Sequence, residues 1–182
     1  MFHPHRLRWR AAAAPIPGLP NAWGVTAVEW AASYPADARA QDDWVRMLRG
    51  ASSDASPAQL WPWLCQLRVA PYSYDLLDNR GRRSPRTLTP GLTDLAIGQK
   101  AVAVFTVAGF VEGESITLTA RPGSAFGRLA MSWSVVPDGA GSRLIACLRH
   151  PRHRGPMDRA LAWGDLVMMR KQLRTLTRLA EG

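Results

Sequence analysis

Residues 129–148, LAMSWSVVPDGAGSRLIACL, decide the fold class. Leu129, Met131, Trp133 and Val135 alternate with Ala130, Ser132, Ser134 and Val136, the two-residue period of a strand. Pro137-Asp138-Gly139-Ala140-Gly141 supplies turn residues, and Leu144, Ala146 and Leu148 begin a return strand. A connection this short requires antiparallel pairing. The pattern extends upstream. Residues 101–110 (AVAVFTVAGF) form a nearly continuous apolar run, and Ile116, Leu118 and Ala120 alternate with Thr117, Thr119 and Arg121. The middle of the chain therefore reads as an antiparallel meander.

A long helix follows, opened by Gly155-Pro156 and free of proline thereafter. At about 100° per residue, Arg159, Arg170, Lys171, Arg174 and Arg178 share one arc. Met157, Leu161, Gly164, Met168, Leu176 and Leu179 gather opposite them, with Leu166, Met169 and Leu173 widening that side. Asp158 in the first turn and cations in the last turns suit the helix dipole. So broad an apolar face predicts a helix held within a curved sheet.

Working towards the N-terminus, residues 79–91 are rich in Arg, Gly, Pro and Ser and read as an exposed loop. Before them, Ser56 caps a helix, Pro57 suits its first position and Gln59 completes a capping box. That helix carries Leu60, Trp61, Trp63, Leu64 and Leu67, and Pro62 predicts that it is short or kinked. Residues 44–48 favour an extended segment ending at Gly50, and residues 35–43 a loop. Residues 1–22 read as an irregular arm, basic and then rich in Ala and Pro, with Trp23, Trp30 and Tyr34 as anchors onto a single domain at 23–182.

The 182 residues suffice for one domain with a real core, and 47% hydrophobic content excludes a disordered chain. No run approaches the ~18 apolar residues of a membrane span. The prolines after the basic N-terminus interrupt any secretory signal, so the expected location is cytoplasmic. Cys65 and Cys147 sit in separate apolar runs and are expected as buried thiols. The net charge is +9, yet Lys100 and Lys171 are the only lysines among 23 basic residues, and the arginines are scattered rather than gathered in a stripe. This predicts only weak, sequence-independent contact with nucleic acid.

The order of strand, short helix, antiparallel strands and long C-terminal helix is that of the α+β helix-grip fold. Trp61-Pro62-Trp63-Leu64-Cys65-Gln66-Leu67, followed by Tyr72-Ser73-Tyr74-Asp75, resembles the motifs of an actinobacterial, polyketide cyclase-like branch of the SRPBCC family (the START and Bet v 1-like superfamily). Trp23-Gly24-Val25-Thr26, Glu29 and Tyr34-Pro35-Ala36-Asp37 resemble the pattern preceding that domain, and the match covers roughly residues 23–181. The branch usually has a glycine-rich stretch before the second motif; here only Arg68-Val69-Ala70-Pro71 intervenes. The resemblance implies a curved antiparallel sheet around the C-terminal helix, with a small hydrophobic molecule, lipid or polyketide-like, held in an internal cavity.

The expected pocket is lined by Met131, Trp133, Leu161, Gly164 and Met168, with Tyr72 and Tyr74 near its mouth. An alternative is a cyclase or dehydrase in which Tyr74 and Asp75 or Asp165 transfer protons, since a buried carboxylate titrates high. A second alternative is a basic nucleic-acid or anionic-surface binder using the arm and residues 149–154, Arg149-His150-Pro151-Arg152-His153-Arg154. No metal is expected there, because the two histidines lie three apart in a proline-containing stretch with no cysteine partner and no nearby carboxylate before Asp158. No cofactor motif occurs: GxGxxG, Walker, HExxH and GxSxG patterns are all missing from the sequence.

Overall fold

The structure, a computed structural model, describes residues 15–79, 81–102, 104–124, 127–153 and 156–182. Most of the expected arm (residues 1–14), Arg154 and the expected helix opener Gly155 lie outside these. In chain order the elements are strand β1 (Ala22–Trp23), helix α1 (Ala27–Ala31), strand β2 (Val45–Ser53), helix α2 (Pro57–Cys65), helix α3 (Asp75–Asp78), strands β3 (Phe105–Val111), β4 (Ser115–Ala120), β5 (Ala130–Asp138) and β6 (Gly141–His150), and helix α4 (Met157–Glu181).

The strands form one sheet in the order β1-β2-β6-β5-β4-β3. The expected meander makes up β3 to β6, joined at Gly139-Ala140 by a tight hairpin in which Gly139 has φ +58. β2 pairs antiparallel with β6, and β1 adds a short parallel edge. The apolar run at 101–110 becomes a strand only from Phe105, and a bulge between Val107 and Gly109 shifts its register. The α2 capping box is formed as expected. Ser56 accepts from Gln59 N, the Gln59 side chain accepts from Ser56 N, and the α-helix passes into a 3-10 turn at Gln66–Arg68.

Strand alternation sends side chains to both faces, and both are covered. Met47, Leu144, Ala146, Leu148, Met131, Trp133, Val135, Ile116 and Leu118 face α2 and α4 in the main core. Leu48, Ile145, Cys147 and Ala130 face the other side, beneath Ala32, Tyr34, Ala36 and Trp44. The segment expected to anchor an arm is thus the cover of the second face. Its entry is tight. A Cβ on Gly24 (φ +67) would lie 2.2 Å from the Gly50 carbonyl oxygen, so only glycine fits there. Cys65 and Cys147 are buried and unbridged, as expected.

The motif residues upstream of β2 explain how this cover is held. Glu29 completes a capping box with Thr26 and pairs with Arg143 of β6 at 2.8 Å. Asp37 accepts from Tyr34 N and pairs with Arg46 and Arg149, each at 3.2 Å. Tyr34, 2% exposed, donates its hydroxyl to the Glu29 carbonyl. The chain is tied to the sheet already at Asn21, whose carbonyl accepts from Leu48 N and the Arg49 guanidinium, two residues before the expected domain boundary.

The face that α4 buries differs from the one expected. Ala162, Leu166, Met169, Leu173, Leu176 and Ala180 point inward. Met157 and Leu161 are 52% and 42% exposed, and Gly164 meets nothing within 4 Å. At about 100° per residue, the buried arc in the first half of the helix is turned by roughly a third of a circle from the expected one. The reason lies on the edge of that arc, where three polar side chains need partners on the sheet.

Candidate functional site

Asp158, Asp165 and Gln172 lie seven residues apart and so run along one flank of α4. Each meets a different part of the protein. Gln172, 6% exposed, accepts from Trp133 Nε1 at 2.9 Å and donates to the Pro71 carbonyl, tying α4 to β5 and to the segment after α2. Asp165 pairs with Arg49 of β2 at 2.8 Å. Asp158 meets the end of β6. In the sheet Trp133, Ala146 and Arg49 are lateral neighbours across β5, β6 and β2. The small Ala146 leaves room for the large side chains on either side.

The Arg49–Asp165 pair is buried, with side chains 1% and 11% exposed. Arg49 also donates to the Asn21, Leu48 and Ala162 carbonyls. Burial pushes the Asp165 carboxyl up to about 6, against the opposing pull of Arg49. Burial likewise lowers the Arg49 guanidinium from its ordinary value. This is a lock between helix and sheet, and Asp165 faces Arg49 rather than an open cavity.

The second motif forms a compact cluster of its own. Tyr72 is 1% exposed and adopts φ +56, a left-handed conformation uncommon outside glycine. Its ring meets Trp63 edge-on, and burial, then the nearby Asp75, pushes its hydroxyl up to about 12. Ser84 Oγ accepts from Tyr72 N and donates to Asp75, while Ser84 N donates to the same carboxylate. Asp75 thus staples the loop at 79–91 onto the end of the first helical region. Tyr74 is half-buried beneath Lys171, whose Nζ lies 4.2 Å from the ring centre.

Of the expected pocket residues, Met131 and Trp133 are buried in the packed core, Met168 is half-buried, and Leu161 and Gly164 face outward. The structure does not gather them around one space. A cleft of about 470 Å³ instead opens at the N-terminal end of α4. Its apolar wall includes Leu19, Trp30 and Trp44, and Arg46, Arg152, Asp158 and Arg159 stand around it. A second hollow of about 330 Å³ lies between Pro57 and the β4–β5 region. Neither is lined by Trp133, Leu161 or Met168.

At the edge of the larger cleft, the end of β6 and the first turn of α4 converge. His150 was expected in a basic loop but is the last residue of β6 and 4% exposed. Its Nδ1 lies 2.7 Å from the Pro151 carbonyl oxygen and 3.9 Å from Asp158 Oδ1. His153 approaches Asp158 Oδ1 with its ring Nδ1 at 3.1 Å and its backbone N–H at 2.8 Å. Burial lowers the His150 imidazole from its ordinary value, opposed by its bond to Pro151. Burial raises the Asp158 carboxyl, but the His153 hydrogen bonds together with the nearby His150 and His153 rings outweigh it and hold the group below its ordinary value.

Arg49 and Gln172 are the side chains that sequence reading passed over, and His150 was read as part of a basic loop rather than as a buried strand end. An arginine two positions after Met47 in an apolar strand was the available signal for the first. The seven-residue spacing of Asp158, Asp165 and Gln172 was the signal for the flank on which Gln172 lies.

No protein-family model and no curated protein matches the sequence. Among solved structures, the di-domain ARO/CYC StfQ from the steffimycin biosynthetic pathway is similar at TM-score 0.50 and 13% identity, over 85% of this chain and 55% of StfQ. This chain thus spans about half of that protein's length. Protein MLL2253 from Mesorhizobium loti (TM-score 0.48, 16% identity, 74% of this chain and 95% of that one) and Ara h 8.0201 (TM-score 0.44, 10% identity, 74% and 96%) also match. No helix among the described residues is long and apolar enough to cross a membrane. Sheet order, the long closing helix and the likeness to StfQ together give the chain a helix-grip fold.

Proposed function

We propose that the protein is a binding module for a small hydrophobic molecule, held in the cleft at the N-terminal end of α4, and that it belongs to the actinobacterial, polyketide cyclase-like branch its motifs resemble. The carrying observation is the cleft itself: about 470 Å³, with Leu19, Trp30 and Trp44 offering apolar surface and three arginines nearby. This volume falls within the range of small-molecule sites, roughly 300–1,000 Å³. Of these, the exposed Arg152 and Arg159 favour a ligand with an anionic end, such as a fatty acid or an acidic polyketide, whereas Arg46 is held by Asp37 and by the Trp30 and Ala32 carbonyls. This reading moves the ligand from beneath α4, where Trp133 and Met131 already fill the space, to the mouth of the fold. A cytoplasmic location, with Cys65 and Cys147 as thiols, is part of the same proposal.

The cyclase reading has one observation in its favour, the raised Asp165 carboxyl. It also requires substrate access, and neither cleft is lined by Asp165, Tyr74 or Asp75. The anionic-surface reading is weakened because Arg170 and Arg174 lie over Trp23 and Lys171 over Tyr74, which occupies these cations with aromatic rings.

The test is titration with a dansyl-labelled medium-chain fatty acid. Leu19→Glu and Arg159→Glu, both at exposed positions, are expected to weaken binding about tenfold each, about 1.4 kcal/mol. Parent-like affinity in both variants, or no probe binding by the parent, overturns the proposal.

A further inference from the structure

We propose that His150, His153 and Asp158 form a binding site for a divalent transition-metal ion of the zinc type at the edge of the cleft. The inference goes beyond the ligand reading and does not depend on it. The fold assembles three donors that the sequence separates: β6 ends at His150, His153 follows Pro151, and α4 presents Asp158 in its first turn. One ring nitrogen of each histidine and one carboxylate oxygen of Asp158 lie within 4.8 Å of one another.

The two distances to Asp158 Oδ1 are 3.1 Å from His153 Nδ1 and 3.9 Å from His150 Nδ1. An ion bound at ~2.0–2.2 Å in a tetrahedral site holds its donor atoms about 3.3–3.6 Å apart. These two separations lie on either side of that value. Two imidazoles and a carboxylate suit zinc, nickel or cobalt, whereas calcium and magnesium select oxygen donors. The His153 backbone N–H donates to Asp158 Oδ1 and fixes the carboxylate, the kind of outer support that metal ligands receive. The two imidazole rings lie 5.3 Å apart, centre to centre. Asp158 also lines the cleft.

Two features oppose binding. His150 Nδ1 lies 2.7 Å from the Pro151 carbonyl oxygen, an acceptor that keeps the proton on that nitrogen, and this bond must be given up for Nδ1 to hold an ion. Arg152 Nη1 stands 4.0 Å from Asp158 Oδ2, although its side chain is 69% exposed and free to swing away. The competing arrangement is a helix start in which Asp158 only accepts hydrogen bonds from His153, and metal titration separates the two. Tag-free full-length protein, stripped with chelator, is titrated with zinc chloride by calorimetry and with cobalt(II) by visible absorption. The expected result is one ion per chain, with a tetrahedral cobalt spectrum. His153→Ala and Asp158→Asn are each expected to weaken zinc at least about tenfold, and Arg152→Ala to tighten it. Circular dichroism checks that His153→Ala, at a half-exposed position, remains folded. The proposal is overturned if the parent binds no stoichiometric zinc. It is also overturned if binding survives His153→Ala and disappears with His3→Ala/His5→Ala, which would place the ion in the N-terminal segment. Neither arm contains an apolar ligand, so failure here leaves the cleft reading standing, and the converse.

Discussion

Arg49 is the residue on which the inner face turns. A guanidinium 1% exposed on a core-facing strand position is tolerable only because Asp165 and three backbone carbonyls meet it. Removing one member of such a pair leaves the other charge buried without compensation, which typically costs about 3–5 kcal/mol. Arg49→Met is therefore expected to lower stability by about that amount at pH 7, measured by urea unfolding. The pH dependence follows from Asp165. Its carboxyl is raised in the folded protein to about 6. Between the unfolded and folded values, the folded state holds a proton that the unfolded state has released. Its contribution to stability is thus full below the unfolded value, near pH 4, and lost as pH rises through about 6. Without Arg49 the carboxyl shifts further upward, so the cost of Arg49→Met should grow from pH 4 to pH 7. A cost independent of pH would show that Asp165 is not the group left unpaired.

At the scale of elements, α4 carries the main departure from the sequence reading. Its apolar residues form two stripes: Ala162, Leu166, Met169 and Leu173 face the sheet, whereas Met157, Leu161 and Val167 are solvated. Hydropathy counts both stripes equally. The polar flank of Asp158, Asp165 and Gln172 selects between them, because burying the other stripe would take each of these side chains away from its partner. Gly164 then sits in open space inside a helix. Gly164→Ala is expected to raise stability by about 1 kcal/mol, the helix-propensity difference. Gly164→Leu should leave fatty-acid probe binding unchanged. Destabilisation by alanine, or loss of probe binding with leucine, would return Gly164 to an inward role. Helix α2 shows the opposite case, since Ser56, Pro57 and Gln59 act within one turn and needed no tertiary information.

Over the whole molecule, residues 25–44 cover the sheet face turned away from α4 around Leu48, Ala130, Ile145 and Cys147. The segment before them contributes differently: Asn21 and Ala22 join the sheet, and Pro17, Leu19 and Pro20 wall the cleft. Deleting residues 1–20 keeps the sheet contacts and removes part of that wall. The expected outcome is a melting temperature within a few degrees of the parent together with probe binding weakened about tenfold or more, on the scale of a few kcal/mol at most for a peripheral segment. A large drop in melting temperature would show that the segment is structural. An unchanged probe affinity would remove the cleft from consideration.

Much of this was legible in the residues alone. Alternation at 129–148 specified the hairpin because strand periodicity and turn chemistry are local properties. The capping box specified α2, and the order of strand, short helix, antiparallel strands and long closing helix specified the helix-grip fold. The arrangement of partners was not legible. Glu29 finds Arg143, Asp37 finds Arg46 and Arg149, Asp165 finds Arg49, and Gln172 finds Trp133, all but one of them across long stretches of chain. The same limit applied to His150, His153 and Asp158, which read as a basic loop beside a helix start until strand and helix brought them together. Periodicity shows which residues share a face. Which of two apolar stripes is buried depends on where the polar groups beside it find partners, and only the packed tertiary structure decides that.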